Sequence, residues 1–189
     1  MQPNNPYTHA ELTTDFDRIA AAVSAHFNRL AGGQWTTSPA PDAWNAAELL
    51  GHIVRTSAPV AKLLGTPRPV LRRMFGVPDG GSRQFDALAA VYQSELAGGA
   101  VAAGPFLPEK EADPGELLTQ WETASHNFRE HLAAWDEGDL DRQYLPHPLL
   151  GSLTVREMVM FTIHHCWHHL GDAKKLFAEQ TNVAIIRPP

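Results

Sequence analysis

The chain has 189 residues, enough for one domain with a sizeable core. Its hydrophobic content of 43% is ordinary for a globular protein, and no apolar run approaches the roughly 20 residues of a membrane span. A net charge of −6, from 21 acidic and 15 basic residues, argues against a nucleic-acid partner, which needs a basic face for phosphates. The first six residues lack the basic and apolar regions of a secretory signal, and the lone cysteine, Cys166, cannot form an internal disulfide. Both point to a cytoplasmic protein without a membrane partner.

Residues 8–31 place Leu12, Phe16, Ile19, Val23, Phe27 and Leu30 at spacings of three and four, an amphipathic helix closed by Gly32 and Gly33. A loop with Pro39 and Pro41 follows. Asn45 and Glu48 form a capping-box pair that opens a second helix, with Leu49, Ile53, Val60 and Leu64 as its buried stripe. Pro59 is expected to kink or end it. His52 falls on the flank of the stripe, about 90° from its centre. Glu48, one turn earlier, could take the second ring N–H of His52; a solvated Glu48–His52 pair explains the same spacing equally well.

Residues 66–112 are the least regular part. Arg68, Arg72, Arg73 and Arg83 give them a basic bias, two short helices are expected near 68–75 and 84–96, and a Gly- and Ala-rich loop follows. Such a long connection is either a lid or specificity element or a structural crossover with solvated arginines. Asp113, Pro114 and Glu116 then mark a strong helix start, followed by Leu117, Trp121, Ala124, Phe128 and Leu132 at helical spacing. His126 and His131 read as exposed on this third long helix. Residues 136–153 read as an acidic turn, and no stretch of the chain shows convincing strand alternation. The tail from Asn182 reads as extended.

The last helix starts at the capping pair Thr154 and Glu157. Four of the chain's 10 histidines, His164, His165, His168 and His169, lie within six of its residues. At about 100° per residue, His165 and His169 turn toward the arc of Val155, Met158, Thr162, Cys166 and Ala173, while His164 and His168 follow the polar boundary. Two imidazoles one turn apart on a buried face each need a partner, and a divalent metal supplies one to both. Cys166 lies inside the apolar arc and reads as a core residue, neither ligand nor nucleophile. Four long amphipathic helices with one long crossover between the second and third predict an all-α four-helix bundle in a single domain, 1–189, with metal ligands on facing helices.

The chain resembles the DinB-like, or YfiT-like, family of metalloenzymes. The resemblance rests on Trp44, Glu48 and His52 at four-residue spacing on the second helix. It rests further on His147, Pro148, Gly151, Leu153 and Thr154 before the last helix, and on His165, His168, His169 and Gly171 within it. Asp172 stands where the family often has Gln. The resemblance implies an up-down-down-up bundle, often a homodimer, with a divalent metal on His52, His165 and His169. It also implies, for some relatives, thiol-dependent S-transfer or isomerisation with bacillithiol, mycothiol or glutathione.

The expected function is therefore a metal-dependent enzyme acting on a small-molecule substrate, with S-transfer from a low-molecular-weight thiol to a small electrophile as the leading chemistry. Zinc or nickel suits three imidazoles, and iron, manganese or copper is compatible. Arg72 and Arg73 are the candidate contacts for the thiol's carboxylates. The rival is hydrolysis by a metal-activated water, with Glu48 and Asp172 as the candidate catalytic bases. A third reading is a non-catalytic metal-binding stress-response protein, its site closed by a fourth ligand such as His168 or His147.

Overall fold

The computed structural model describes residues 4–41 and 43–185, with side chains to residue 176. The chain is mostly helical. Its elements are α1 (His9–Phe27), α2 (Ala46–Leu64), α3 (Arg68–Phe75), α4 (Phe85–Ala97), α5 (Pro114–Ala133), a hairpin of β1 (Tyr144–His147) and β2 (Gly151–Thr154), and α6 (Val155–Ile185). The caps are those the sequence marks. Asn45 Oδ1 accepts from the Glu48 amide and Glu48 Oε2 from the Asn45 amide, both at 2.9 Å. Asp113 accepts from the Glu116 amide, and Thr154 and Glu157 exchange the same pair of bonds at the start of α6. Each satisfies amides that the first helical turn leaves without carbonyl partners.

The most extensive pairing is α2 with α5; α1 packs on α5 and α6, and α2 and α4 also pack on α6. Phe16 of α1 stacks on Phe128 of α5 with centroids 3.9 Å apart at the centre of the core. Leu12, Ile19, Leu50, Ile53, Trp121 and Leu132 are fully buried around them, so the apolar stripes read from the sequence are the packing faces.

Four expectations need correction. Of the two outcomes expected at Pro59, a kink or an early end, the early end does not occur: the helix continues to Leu64. Proline deletes one helical hydrogen bond, but Val60, Ala61 and Leu64 in the next turn are buried, which outweighs that loss. His131 is half-buried, with Nδ1 2.7 Å from the Ala61 carbonyl. Residues 144–154 are not a mere turn but an antiparallel hairpin pairing Tyr144 with Thr154 and His147 with Gly151, so the chain is not purely helical. Two four-residue strands, one containing Pro146, are too short to show a period of two. Finally, α6 runs through Ile185, so the expected extended tail is helical over residues 182–185; its remainder, 186–189, lies outside the described residues.

Arg156 fixes the hairpin and the start of α6 against the rest. It is buried, holds Asp141 through Nε at 2.7 Å and Nη2 at 2.8 Å, pairs with Glu137 at 2.7 Å, and lies over the Tyr7 ring. A buried guanidinium is tolerated only when its donors are matched in this way. Among the described residues, no helix is long and apolar enough to cross a membrane.

Candidate metal centre

The side chains of α2 and α6 converge on one point. His52 is 4% and His165 5% exposed, and the His169 side chain is 12% exposed. His52 Nε2 lies 3.1 Å from His165 Nε2, and His165 Nε2 lies 3.2 Å from His169 Nε2. All three ligand atoms lie within 4.8 Å of one another. A metal about 2.0–2.1 Å from each of two imidazole nitrogens in a tetrahedron holds them about 3.3 Å apart. The three residues could therefore hold a metal ion with little movement.

The far nitrogens decide where the protons sit. His52 Nδ1 lies 2.7 Å from the Phe106 carbonyl, so it donates there. His165 Nδ1 faces Thr56 Oγ1 at 3.5 Å; that hydroxyl gives its own hydrogen to the carbonyl of His52 or Ile53, leaving a lone pair for the imidazole. His169 Nδ1 lies 3.5 Å from Asp172 Oδ2, too poorly aligned for a strong hydrogen bond. With protons on the three Nδ1 atoms, three Nε2 lone pairs point at one another, an arrangement that a cation between them stabilises.

The electrostatics agree. Burial first, then the neighbouring His169, holds His52 down at about 4, against the upward pull of the Phe106 carbonyl. Burial and the surrounding imidazoles hold His165 well below the usual range. Both are neutral at pH 7, as ligation requires. Burial opposes the charge on Asp172, but His169, Lys175 and His168 outweigh it and hold the carboxyl at about 2.

Trp44 covers His52 with centroids 4.8 Å apart, and Phe161 stacks on His165 at 5.3 Å. Beyond the triad opens a cavity of about 540 Å³, within the range of small-molecule sites. Tyr92 and Leu96 of α4 and the loop 100–106 line one side, so the irregular crossover does supply part of the wall.

The other candidates fall outside the point of convergence. Glu48 does not take the second N–H of His52; its carboxylate is used by the α2 cap, and the Phe106 carbonyl takes that hydrogen instead. Asp172 stands behind His169, with Lys175 Nζ 3.1 Å from its Oδ1. His168, His169 and Asp172 form a second, less buried group with metal-ligand spacing, but the Lys175 ammonium already sits against its carboxylate. Arg72 and Arg73 are exposed on α3 and do not line the cavity. His147 lines the cavity but is not grouped with the triad. Cys166 is fully buried, and burial pushes its thiol up to about 12, against a weak contact with Ser57. The Phe106 carbonyl, Thr56 and Tyr92 were not legible as parts of the site. Thr56 carried one signal, its place one turn after His52; a backbone carbonyl on a distant loop carries none.

A family model described as the DinB superfamily matches residues 15–173. No curated protein matches the chain. Among solved structures, the crystal structure of an uncharacterised protein from Escherichia coli UTI89 is similar, with 14% identity, a TM-score of 0.55, and coverage of 94% of this chain and 96% of that one. At that identity the likeness concerns the fold alone.

Proposed function

This chain belongs to the DinB superfamily, and on that footing we propose that it is a metal-dependent enzyme, with His52, His165 and His169 as the ligands of one divalent ion. The convergence of three Nε2 lone pairs, each ring turned by a partner on its Nδ1 side, carries this reading. When bound, the metal would supply its full +2 charge and an open coordination position at which a thiol or a water loses its proton. Zinc or nickel is the expected ion.

The chemistry we propose is S-transfer from a low-molecular-weight thiol to a small electrophile. The thiol gives its proton to solvent and its sulfur forms a C–S bond; the displaced electron pair departs with a leaving group, or moves through an activated alkene whose carbon takes a proton back from solvent. The arrangement of the carboxylates favours this over hydrolysis. Glu48 is bound into a helix cap, Asp172 is held at about 2 behind His169, and neither lines the cavity. A thiol, already acidic enough to ionise at a metal, needs no protein base. The protein's own part is to hold the three rings, with Phe106, Thr56 and Asp172 on their outer nitrogens, and to keep water from the buried face with Trp44 and Phe161. An up-down-down-up order of α1, α2, α5 and α6, one domain over residues 1–189, and a cytoplasmic homodimer belong to the same proposal.

Co(II)-substituted protein tests it. Adding bacillithiol, mycothiol, glutathione or coenzyme A should give a sulfur-to-metal charge-transfer band that is absent in His169→Ala. If none of these thiols perturbs the spectrum, S-transfer is refuted and hydrolysis becomes the better reading.

A further inference from the structure

Apart from its histidines, Thr56 and Tyr92, the cavity above the triad is largely apolar. Val60, Leu63, Leu96, Phe106, Met158 and Phe161 form much of its wall, and no Asp, Glu, Lys or Arg is among the described residues that line it. Once the ion's open position is filled, a charged group on a second reactant would lose its water there without meeting a protein partner, a large cost.

One polar group in the wall is differently placed. His147 sits at the end of β1, where its Nδ1 accepts the amides of Leu149 at 3.2 Å and Leu150 at 2.9 Å. That assigns the ring proton to Nε2. The ring is further fixed edge-on to Phe161, with centroids 4.2 Å apart. Burial keeps the imidazole neutral at pH 7. Its Nε2–H meets no acceptor among the described residues, while the ring lines the cavity. Thr56, by contrast, has committed its hydroxyl hydrogen to a backbone carbonyl.

We infer that the cavity takes an uncharged, largely apolar electrophile, and that His147 donates its Nε2–H to the acceptor atom of that molecule. The role of electrophile rests on the S-transfer reading above; the binding chemistry does not. The hairpin gives His147 this place: the two amide bonds in its turn fix the ring by its Nδ1 edge and leave the Nε2 edge for the ligand.

The test is calorimetric binding of three probes to the protein as purified with its metal: 4-phenyl-3-buten-2-one, its para-carboxylate analogue, and 1-phenylpropene, which lacks the carbonyl. His147→Asn retains an acceptor for the two turn amides, as Asx turns do, and removes the outer donor. The ketone should bind about five-fold more weakly to this variant, the worth of one neutral hydrogen bond, with phenylpropene binding unchanged. With saturating azide filling the ion's open position, the carboxylate analogue should bind at least roughly ten-fold more weakly than the ketone to the unaltered protein. Equal weakening of ketone and phenylpropene in His147→Asn overturns the assignment to His147. Binding of the carboxylate under azide as tight as that of the ketone overturns the neutral-ligand reading. A thiol-dependent Co(II) band with ketone binding indifferent to His147 would sink this inference alone. Intact, His147-dependent ketone binding without that band would sink S-transfer alone.

Discussion

Replacing His165 by Ala removes the nitrogen that lies between the other two, 3.1 Å from one and 3.2 Å from the other. The remaining pair, His52 and His169, cannot hold a tetrahedral ion alone with comparable affinity. The consequence can be read as heat stability. A ligand that binds only the native state, at a free concentration about 100 times its Kd, stabilises by about 2.7 kcal/mol. For a domain of 150–250 residues, 1 kcal/mol moves Tm by about 2–4 °C. Chelation should therefore lower the Tm of the unaltered protein by about 5–10 °C, and adding back zinc or nickel should restore it. In His165→Ala the metal-dependent shift should vanish, and metal analysis should fall from near one ion per chain to a small fraction. Any packing loss from truncating a buried ring is present with and without metal, so it cancels within the variant. His164→Ala is the control: its ring lies against Gln93, Phe85 and Tyr92 and is not grouped with the triad. It should keep both metal and shift. A full shift in His165→Ala would refute the assignment of the centre.

Asp172→Asn should weaken metal affinity by roughly 10- to 100-fold, because an outer carboxylate orients the ligand it faces, whereas Glu48→Ala should leave metal content unchanged and cost only about 1 kcal/mol through the α2 cap; competition with a chelator measures the first and thermal unfolding the second. The metal-free protein should lose stability as pH falls from about 6.5 toward 4. His52 and His147 are held at about 4 against a usual 6.5, so across that window the unfolded chain binds more protons and stability rises with pH. A Tm flat between pH 7 and 5 would contradict it. Cys166 should resist alkylation by iodoacetamide in the native protein and react on unfolding, since the thiol is buried and its pKa is raised to about 12. Loss of metal in Cys166→Ala would overturn its reading as a core residue.

The convergence of the three histidines was legible because a helix converts sequence spacing into direction. His165 and His169, four apart on the apolar arc of α6, had to meet, and His52 on the flank of the α2 stripe needed only a facing helix to join them. Caps were legible for the same local reason: Asn45 with Glu48, and Thr154 with Glu157, satisfy amides within three residues. What failed was whatever depends on distant backbone. The partner of His52 is the Phe106 carbonyl, 54 residues on, held by a turn in which Gly104 adopts φ +57°, a conformation open to glycine at little cost. No side-chain pattern announces a carbonyl. Glu48 looked like that partner because it stands one turn before His52, but its carboxylate was already claimed by the cap.

The same competition explains where this site keeps its charge. Glu48 caps the start of α2, Asp172 stands behind His169, and Glu157 is divided between the Thr154 amide and Arg83, at 2.6 Å from its Nε. Each carboxylate near the centre is bound to structure, and the face the metal would present to a reactant is left to aromatic and aliphatic groups. A centre of three neutral imidazoles would leave the charge of its ion offset mainly by Asp172, which stands behind His169 and outside the cavity. A low-dielectric surround makes that charge act more strongly on whatever enters. Selectivity must come from the reactant's own polarity and from the few donors in the wall, and His147, fixed by two backbone amides and turned toward the cavity, is the donor this fold holds in place.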